Sequence, residues 1–185
     1  MLPQILARAG EQPAHIRDLF ERFVPEENRT KRLGSVIRPA ALLAIPGDAQ
    51  RGKAVFFQTS GVQCKACHKI GGAGNEIGPD LSQIGKKYDR AKILENILDP
   101  SREIDPKYRV QLVQTVDGKI QSGLLVKNEP RELVLRDAKG KLITIPADNV
   151  EQMVPQQQSM MPDLLLRDMT AQQVADLLAY LESLQ

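Results

Sequence analysis

Both cysteines of this 185-residue chain stand in one pentapeptide, Cys64-Lys65-Ala66-Cys67-His68. The same segment holds one of the chain's two histidines. Two cysteines three positions apart provide no disulfide framework that could organise a fold. The pentapeptide is therefore a local site, and the fold has to present two thiols and one imidazole together.

The pattern Cys-x-x-Cys-His is the attachment signature of c-type haem. Two thiols at this spacing can reach the two vinyl groups along one haem edge from one side of a turn of chain. The next residue, His68, then lies beneath the ring, where its imidazole can bind iron. The residues predict one haem, anchored covalently through Cys64 and Cys67, with His68 as the proximal iron ligand.

Three other interpretations of the pentapeptide compete with haem. A structural zinc site needs four ligands, and the other strong donor is the distant His15. A thioredoxin-like pair stands at a strand-to-helix turn of a βαβ unit, whereas this motif follows a helical pattern and precedes a Gly-rich loop. The third is two buried cysteines and a surface histidine with no shared role. Each fits the flanking sequence less well than haem does.

Composition bounds the class of protein. The chain is 42% hydrophobic and 26% charged, with a formal net charge of +2, which suits one or two small globular domains with a core. No basic stretch is interleaved with aromatic residues, so nucleic acid is not an expected partner. No run approaches the roughly 18 apolar residues that cross a bilayer. The first residues, MLPQILARAGEQ, lack the parts of a signal peptide.

Four parts follow one another along the chain. Residues 1–46 form a lead-in helix and linker, in which Ile16, Leu19, Phe20 and Phe23 share helical spacing. Residues 47–104 hold the pentapeptide between helices. Residues 105–155 alternate apolar and polar residues, and residues 156–185 return to a loop and a helix.

Local signals predict the elements within these parts. Asp48 and Asp89 are candidate N-caps, and Thr170 with Gln173 fits a capping box. The pair Asp117-Gly118 between alternating runs predicts a hairpin, and Gly140 marks a second turn, giving four or five antiparallel strands. The last helix is predicted to bury a stripe of Val174, Leu177, Leu178 and Leu181. The predicted fold class is mainly α with a β insertion, that is, α+β.

Two further residues complete the predicted site. In Gly78-Pro79-Asp80-Leu81, ten residues after His68, Pro79 fixes the backbone so that a nearby carbonyl can accept from the free N–H of the imidazole. Met161 is the favoured sixth iron ligand, because it lies in the loop sequence SMMP and Pro162 stiffens the backbone beside it. The candidates left open for the sixth position are His15, Met153, Met160, Met169 and lysine side chains.

Several pieces of the chain together resemble class I cytochrome c: GKAVFF, CKACH, GPDL, ILDPSREIDPKY, SMMP and VADLLAYLESL. More closely, about residues 14–185 are similar to the haem-binding domain at the C-terminal end of large multidomain proteins of planctomycete-type bacteria. In that family the late pattern is Ser-x-Met-Pro, which selects Ser159, Met161 and Pro162. The resemblance implies a class I cytochrome helical core, interrupted by a small antiparallel module between its second helix and the Met loop.

A haem held by His68 and Met161 has no vacant iron position, which favours one-electron transfer over catalysis by the domain itself. The alternative is a haem sensor, or a ligand-binding or peroxidase-like domain, with an open or weakly held sixth position. A third hypothesis makes the β module the working part, an interaction domain for which haem is the structural core.

Haem attachment of this type takes place outside the cytoplasm, so the class implies a periplasmic or otherwise exported protein. The lead-in RDLFERFVPEENR resembles the family's junction with an upstream helical domain, and the chain is expected to be a piece of a longer protein. The expected partners are redox proteins or fused upstream domains, and the inserted module could also mediate a homodimer.

Overall fold

A computed structural model describes residues 2–10, 12, 16, 19–59 and 64–185. The fold class is α+β, as predicted. The α-helices are α1 Leu2–Gly10, α2 Pro39–Leu43, α3 Ala49–Gln58, α4 Cys64–Cys67, α5 Ile84–Lys87, α6 Arg90–Leu98 and α7 Ala171–Glu182. The strands are β1 Lys69–Ile70, β2 Ala73–Gly74, β3 Val110–Thr115, β4 Ile120–Asn128, β5 Glu132–Arg136, β6 Leu142–Pro146 and β7 Val150–Pro155.

The chain packs as two compact units. The first contains the described part of residues 1–64 with Gln83–Leu94 and Leu164–Gln185, and is helical. The second contains Lys65–Ser82 and Glu95–Asp163, and holds the seven strands of the described part of the chain. In the described part of the chain, no helix is long and apolar enough to cross a membrane.

Helices α3 and α7 form the centre of the helical unit. They approach closely at Gly52, where an added Cβ would collide with the carbonyl of Asp176. Beside this contact Phe56, 1% exposed, packs its ring edge-on against Tyr180, with the ring centroids 6.1 Å apart. The predicted stripe of α7 is buried against this surface at all four positions: Val174, Leu177, Leu178 and Leu181.

The predicted caps begin their helices as expected. The Asp48 carboxylate accepts from the Arg51 N–H at 2.8 Å at the start of α3. Asp89 accepts from the Lys92 N–H at 2.8 Å and starts α6. The capping box before α7 is confirmed in both directions.

The predicted apolar face of the lead-in is partly exposed, and its other members, Ile16 and Phe20, are half-buried. Of the residues predicted to share one apolar face, Leu19 is 69% exposed and Phe23 is 46% exposed, while residues 17 and 18 lie outside the described part of the chain. Further along, the backbone N–H of Leu33 donates to the Met169 carbonyl at 2.9 Å, and Leu42 of α2 is 2% exposed. The lead-in is therefore attached to its own unit at residues 33 and 42, and the neighbour against which its apolar face packs stays a prediction.

An ion pair also joins α3 to α7. The Asp176 carboxylate is buried, with its side chain 5% exposed, and accepts from two nitrogens of Arg51 at 2.8 Å each. The Asp48 N–H at 2.8 Å and the Gln172 amide at 2.9 Å complete its partners. The Arg51 hydrogen bond is the main cause that holds the pKa of Asp176 at about 2, below the ordinary 3.8.

We expect Asp176→Asn to lower the free energy of unfolding at pH 7 by about 2 kcal/mol, because a carboxylate whose pKa is depressed in the folded state stabilises that state. This contribution is complete above the unfolded-state pKa near 4 and disappears as the pH falls towards 2. Urea unfolding between pH 7 and pH 2 measures it. Asp168→Asn is the control, since its carboxylate is 57% exposed and pairs with an exposed Arg167, which predicts a change below about 0.5 kcal/mol. A difference between wild type and Asp176→Asn that stayed constant down to pH 2 would contradict this assignment.

The second unit is built on a five-stranded antiparallel sheet in the order β6-β5-β4-β3-β7. The two predicted turns join β3 to β4 and β5 to β6, and Gly118 and Gly140 adopt φ values of +79° and +80° there. One face of the sheet carries a buried aliphatic cluster of Val113, Leu133, Leu135 and Ile145. The sequence predicts four or five strands in the insertion, and the structure has five. The predicted last strand corresponds to β7.

Candidate haem-binding site

The pentapeptide forms a single helical turn, α4, which ends at Cys67 and leaves His68 just beyond it. Both cysteines are half-buried, and neither takes part in a disulfide among the described residues. Burial raises the pKa of the Cys67 thiol above its ordinary value. The two thiols are thus spaced on one turn of helix, as the sequence predicts.

The segment after the pentapeptide folds back on it, and we call residues 74–81 the GPDL loop. The loop is attached by a series of backbone hydrogen bonds in which its N–H groups donate to carbonyls of residues 65–69. The bonds are Asn75 to Lys65 at 3.0 Å, Ile77 to Cys67 at 3.0 Å, Gly78 to Cys67 at 2.7 Å and Leu81 to Lys69 at 2.8 Å. The loop therefore has one fixed position along the pentapeptide.

His68 meets the GPDL loop through its ring. Its Nδ1 lies 2.9 Å from the Pro79 carbonyl oxygen, and because a carbonyl can only accept, Nδ1 carries the proton in this bond. Nε2 is then left with its lone pair. Burial lowers the pKa of His68, and the Pro79 hydrogen bond partly offsets that effect. The lowered pKa favours the neutral imidazole, which is the form that binds metals.

Gly78 lies flat against the same ring. A Cβ at this position would stand 2.7 Å from Cε1 and 2.9 Å from Nδ1 of His68, which is closer than real Cβ atoms approach. Any other residue at position 78 would push the imidazole aside. The sequence indicated the role of Pro79 in this turn, but the contact of Gly78 with the ring is visible only in the structure.

Met161 lies in the loop that leaves the sheet after β7, in the same unit as His68. Its N–H donates to Ser159 Oγ at 3.1 Å, and the Ser159 N–H donates to Ser101 Oγ at 3.0 Å. The loop is thus attached to the segment that follows α6. Met161 is half-buried, as is Met160. The structure brings His68 and Pro79 into contact and holds Met161 by these separate contacts.

The other candidates for a sixth ligand lie in different surroundings. Met169 is 1% exposed in the core of the helical unit, and Met153 is 36% exposed on β7, an edge strand. His15 lies outside the described residues. Met160 and Met161 therefore remain the methionines placed in a loop of the unit that carries His68.

Arg109 was not indicated by any sequence signal. Its Nε is buried and has no hydrogen-bond partner among the residues that the structure describes. A buried guanidinium nitrogen without an acceptor is rare in folded proteins. Arg109 stands just before β3, in the unit that carries His68 and Met161. A carboxylate, of which haem carries two, would satisfy this nitrogen.

The donors fit a covalently attached haem. The groups that such a cofactor uses are two thiols on one helical turn, an imidazole whose Nδ1–H is occupied, a thioether in a loop and an arginine nitrogen, Nε of Arg109, without an acceptor among the described residues. In the described part of the chain, no three His, Cys, Asp or Glu side chains form a cluster that could hold a metal ion by themselves.

In the comparison with known families, the cytochrome c family model matches residues 49–122. The matched segment begins with α3, includes the pentapeptide and the GPDL loop, and ends within β4. It supports a c-type cytochrome, with haem, iron and electron transfer as the properties of that class. The match does not extend to Met161. Comparison with curated proteins gave no match.

Proposed function

We propose that the chain is a c-type cytochrome domain that carries one covalently bound haem and transfers single electrons. Cys64 and Cys67 are the covalent anchors, His68 is the proximal ligand and Met161 is the distal ligand. When bound, haem supplies an iron that changes oxidation state by one electron. The chain's own residues attach this group, orient it and limit its contact with water.

The contact between His68 and the Pro79 carbonyl carries this proposal. It fixes the tautomer of the imidazole, leaves Nε2 without a proton and increases the basicity of the ring. Gly78 on the face of the ring limits its rotation. A ligand fixed in this way changes geometry little between oxidation states, as electron transfer requires.

On the distal side, the anchored loop supports Met161 as the second ligand. The hydrogen bonds from Met161 to Ser159 and from Ser159 to Ser101 restrict the backbone next to the thioether before any iron is bound. A restricted loop loses less conformational entropy on ligation. The bond to Ser159 is made by the backbone N–H of Met161 itself, which favours Met161 over Met160 as the ligand.

The finer assignments follow from the class. We infer that the chain works outside the cytoplasm, in the periplasm or otherwise exported, and that it belongs to the planctomycete-type haem-binding domains. We infer that residues 47–104 and 156–185 are the cytochrome core around the module 105–155, with residues 1–46 as a junction to an upstream domain. Its partners would then be redox proteins or fused upstream domains.

Potentiometric titration of the haem-loaded chain tests the proposed function. We expect one reversible transition that fits a one-electron Nernst curve, with a low-spin spectrum on both sides. A high-spin ferrous form that binds carbon monoxide readily would instead support the sensor or peroxidase-like alternative and would overturn simple electron transfer.

A further inference from the structure

The inserted sheet contacts the GPDL loop at the end of β5. Arg136, the last residue of β5, donates from Nη1 to the Glu76 carbonyl oxygen at 2.6 Å. Beside it Ile77 is buried, and its Cδ1 lies 3.7 Å from the position that a Cβ on Gly140 would occupy. The GPDL loop and the hairpin formed by β5 and β6 also line an open cavity of about 560 Å³. A specific hydrogen bond from Arg136 therefore joins the loop to the hairpin, and Ile77 lies close to Gly140 of that hairpin.

Arg136 is itself well fixed. It pairs with Leu124 of β4 on one side and with Leu142 of β6 on the other, so its backbone is part of the sheet ladder. A guanidinium donor to a carbonyl gives a charge-assisted hydrogen bond, which is stronger than a neutral one. The bond thus connects the GPDL loop to a rigid part of the insertion.

The connection continues directly to the ring of His68. Glu76, whose carbonyl Arg136 holds, is followed by Ile77 and Gly78, whose N–H groups donate to the Cys67 carbonyl. The next carbonyl, that of Pro79, accepts from His68 Nδ1. The carbonyl that orients the imidazole is therefore three residues after the anchored carbonyl, and the proline ring limits the backbone freedom of the last of these residues.

We propose that Arg136 is a positioning residue for His68: it fixes the GPDL loop to the inserted sheet and so keeps the Pro79 carbonyl on the ring N–H. This rests on the proposed function, in which His68 is the proximal ligand. The β module then serves as the frame that holds the proximal side of the site. Because the partner of the ring N–H sets the electron density of the imidazole, loosening the loop makes the reduction potential more positive.

The test compares three variants of the haem-loaded full chain. Arg136→Gln removes the charged donor, and Arg136→Lys retains a single donor. Lys139→Gln is the matched control, because Lys139 lies on the same hairpin and lines the same cavity, yet its ammonium has no partner among the described residues. Hydrogen exchange measured by NMR and potentiometric titration are the two readouts.

In Arg136→Gln we expect the amides of Ile77 and Gly78 to exchange about 10-fold faster, while β4 amides keep the wild-type rate. The reduction potential of Arg136→Gln should be higher than that of Lys139→Gln. Arg136→Lys should have an exchange rate and a potential between those of Arg136→Gln and wild type. Lys139→Gln should exchange like wild type in the loop.

Three results for Arg136→Gln would overturn the proposal. The first is unchanged amide exchange at Ile77 and Gly78, and the second is faster exchange throughout the sheet. The third is faster exchange in the loop together with a reduction potential equal to that of Lys139→Gln. The second result would show that Arg136 stabilises the sheet as a whole. The third would show that its bond to the loop does not affect His68. A wild-type chain without covalent haem would instead contradict the proposed function, and the exchange readout would still report on the anchoring.

Discussion

Serine in place of both Cys64 and Cys67 is expected to abolish covalent haem attachment. In the proposed site the two thiols, on one turn of α4, are the chain's bonds to the cofactor, and serine hydroxyls do not form the thioethers. Intact-mass measurement after denaturation should show the haem adduct in wild type and none in the double variant. Each single variant should retain an adduct through the remaining cysteine.

Ala66→Ser is the control for this experiment. Ala66 lies between the two cysteines on the same helical turn, so the substitution adds a hydroxyl there and keeps both thiols. It should carry as much covalent haem as wild type. Persistence of the adduct in the double variant, or its loss in Ala66→Ser, would contradict the assignment of Cys64 and Cys67 as anchors.

The second large effect concerns the distal side. Met161→Ala removes the proposed sixth ligand, so the ferric protein should change from low spin to a form that binds added imidazole. Thioether ligation raises the potential of haem iron, and axial ligands together span about 0.8 V. The potential should therefore fall on the order of 0.1 V or more.

Met160→Ala is the matched control, since Met160 is the neighbouring half-buried methionine in the same loop. It should keep the low-spin spectrum and stay close to the wild-type potential. If Met160→Ala gave the large change and Met161→Ala did not, the sulfur assigned to iron would be the wrong one. An unchanged spectrum in both variants would remove the SMMP loop from the site.

The features that sequence could predict are those fixed within a few residues. The two thiols and the imidazole, the caps at Asp48 and Asp89, and the turns at Gly118 and Gly140 each depend on local geometry. The stripe on α7 follows from helical spacing. For these features the residues in one short segment determine the local conformation, and tertiary contacts do not change that conformation.

The remaining features depend on contacts between distant segments. Asp48 was identified as a cap, but its N–H also donates to Asp176 on α7, a partner that no local pattern indicates. The close approach of Gly78 to His68 and the bond from Arg136 to Glu76 arise only when the loop and the sheet are folded. The buried Nε of Arg109 likewise requires a three-dimensional structure to be recognised.

The insertion illustrates the same limit. Alternation and turn residues predicted its strands, but not the segment that it would contact. In the structure, Lys65–Ser82 packs in the same unit as the sheet, and the sheet's residue Arg136 holds the loop that orients His68. A role for the insertion at the site could therefore be inferred only from the folded chain.

We propose that His68 and Met161 are the two iron ligands of one haem. The absorbance spectrum of the wild-type ferric and ferrous protein, recorded with and without added imidazole, tests this ligation. We expect low-spin spectra in both states, a weak far-red thioether-to-iron band in the ferric form, and little change when imidazole is added at low concentration. A high-spin ferric spectrum that lacks this band and becomes low spin on adding imidazole would contradict it.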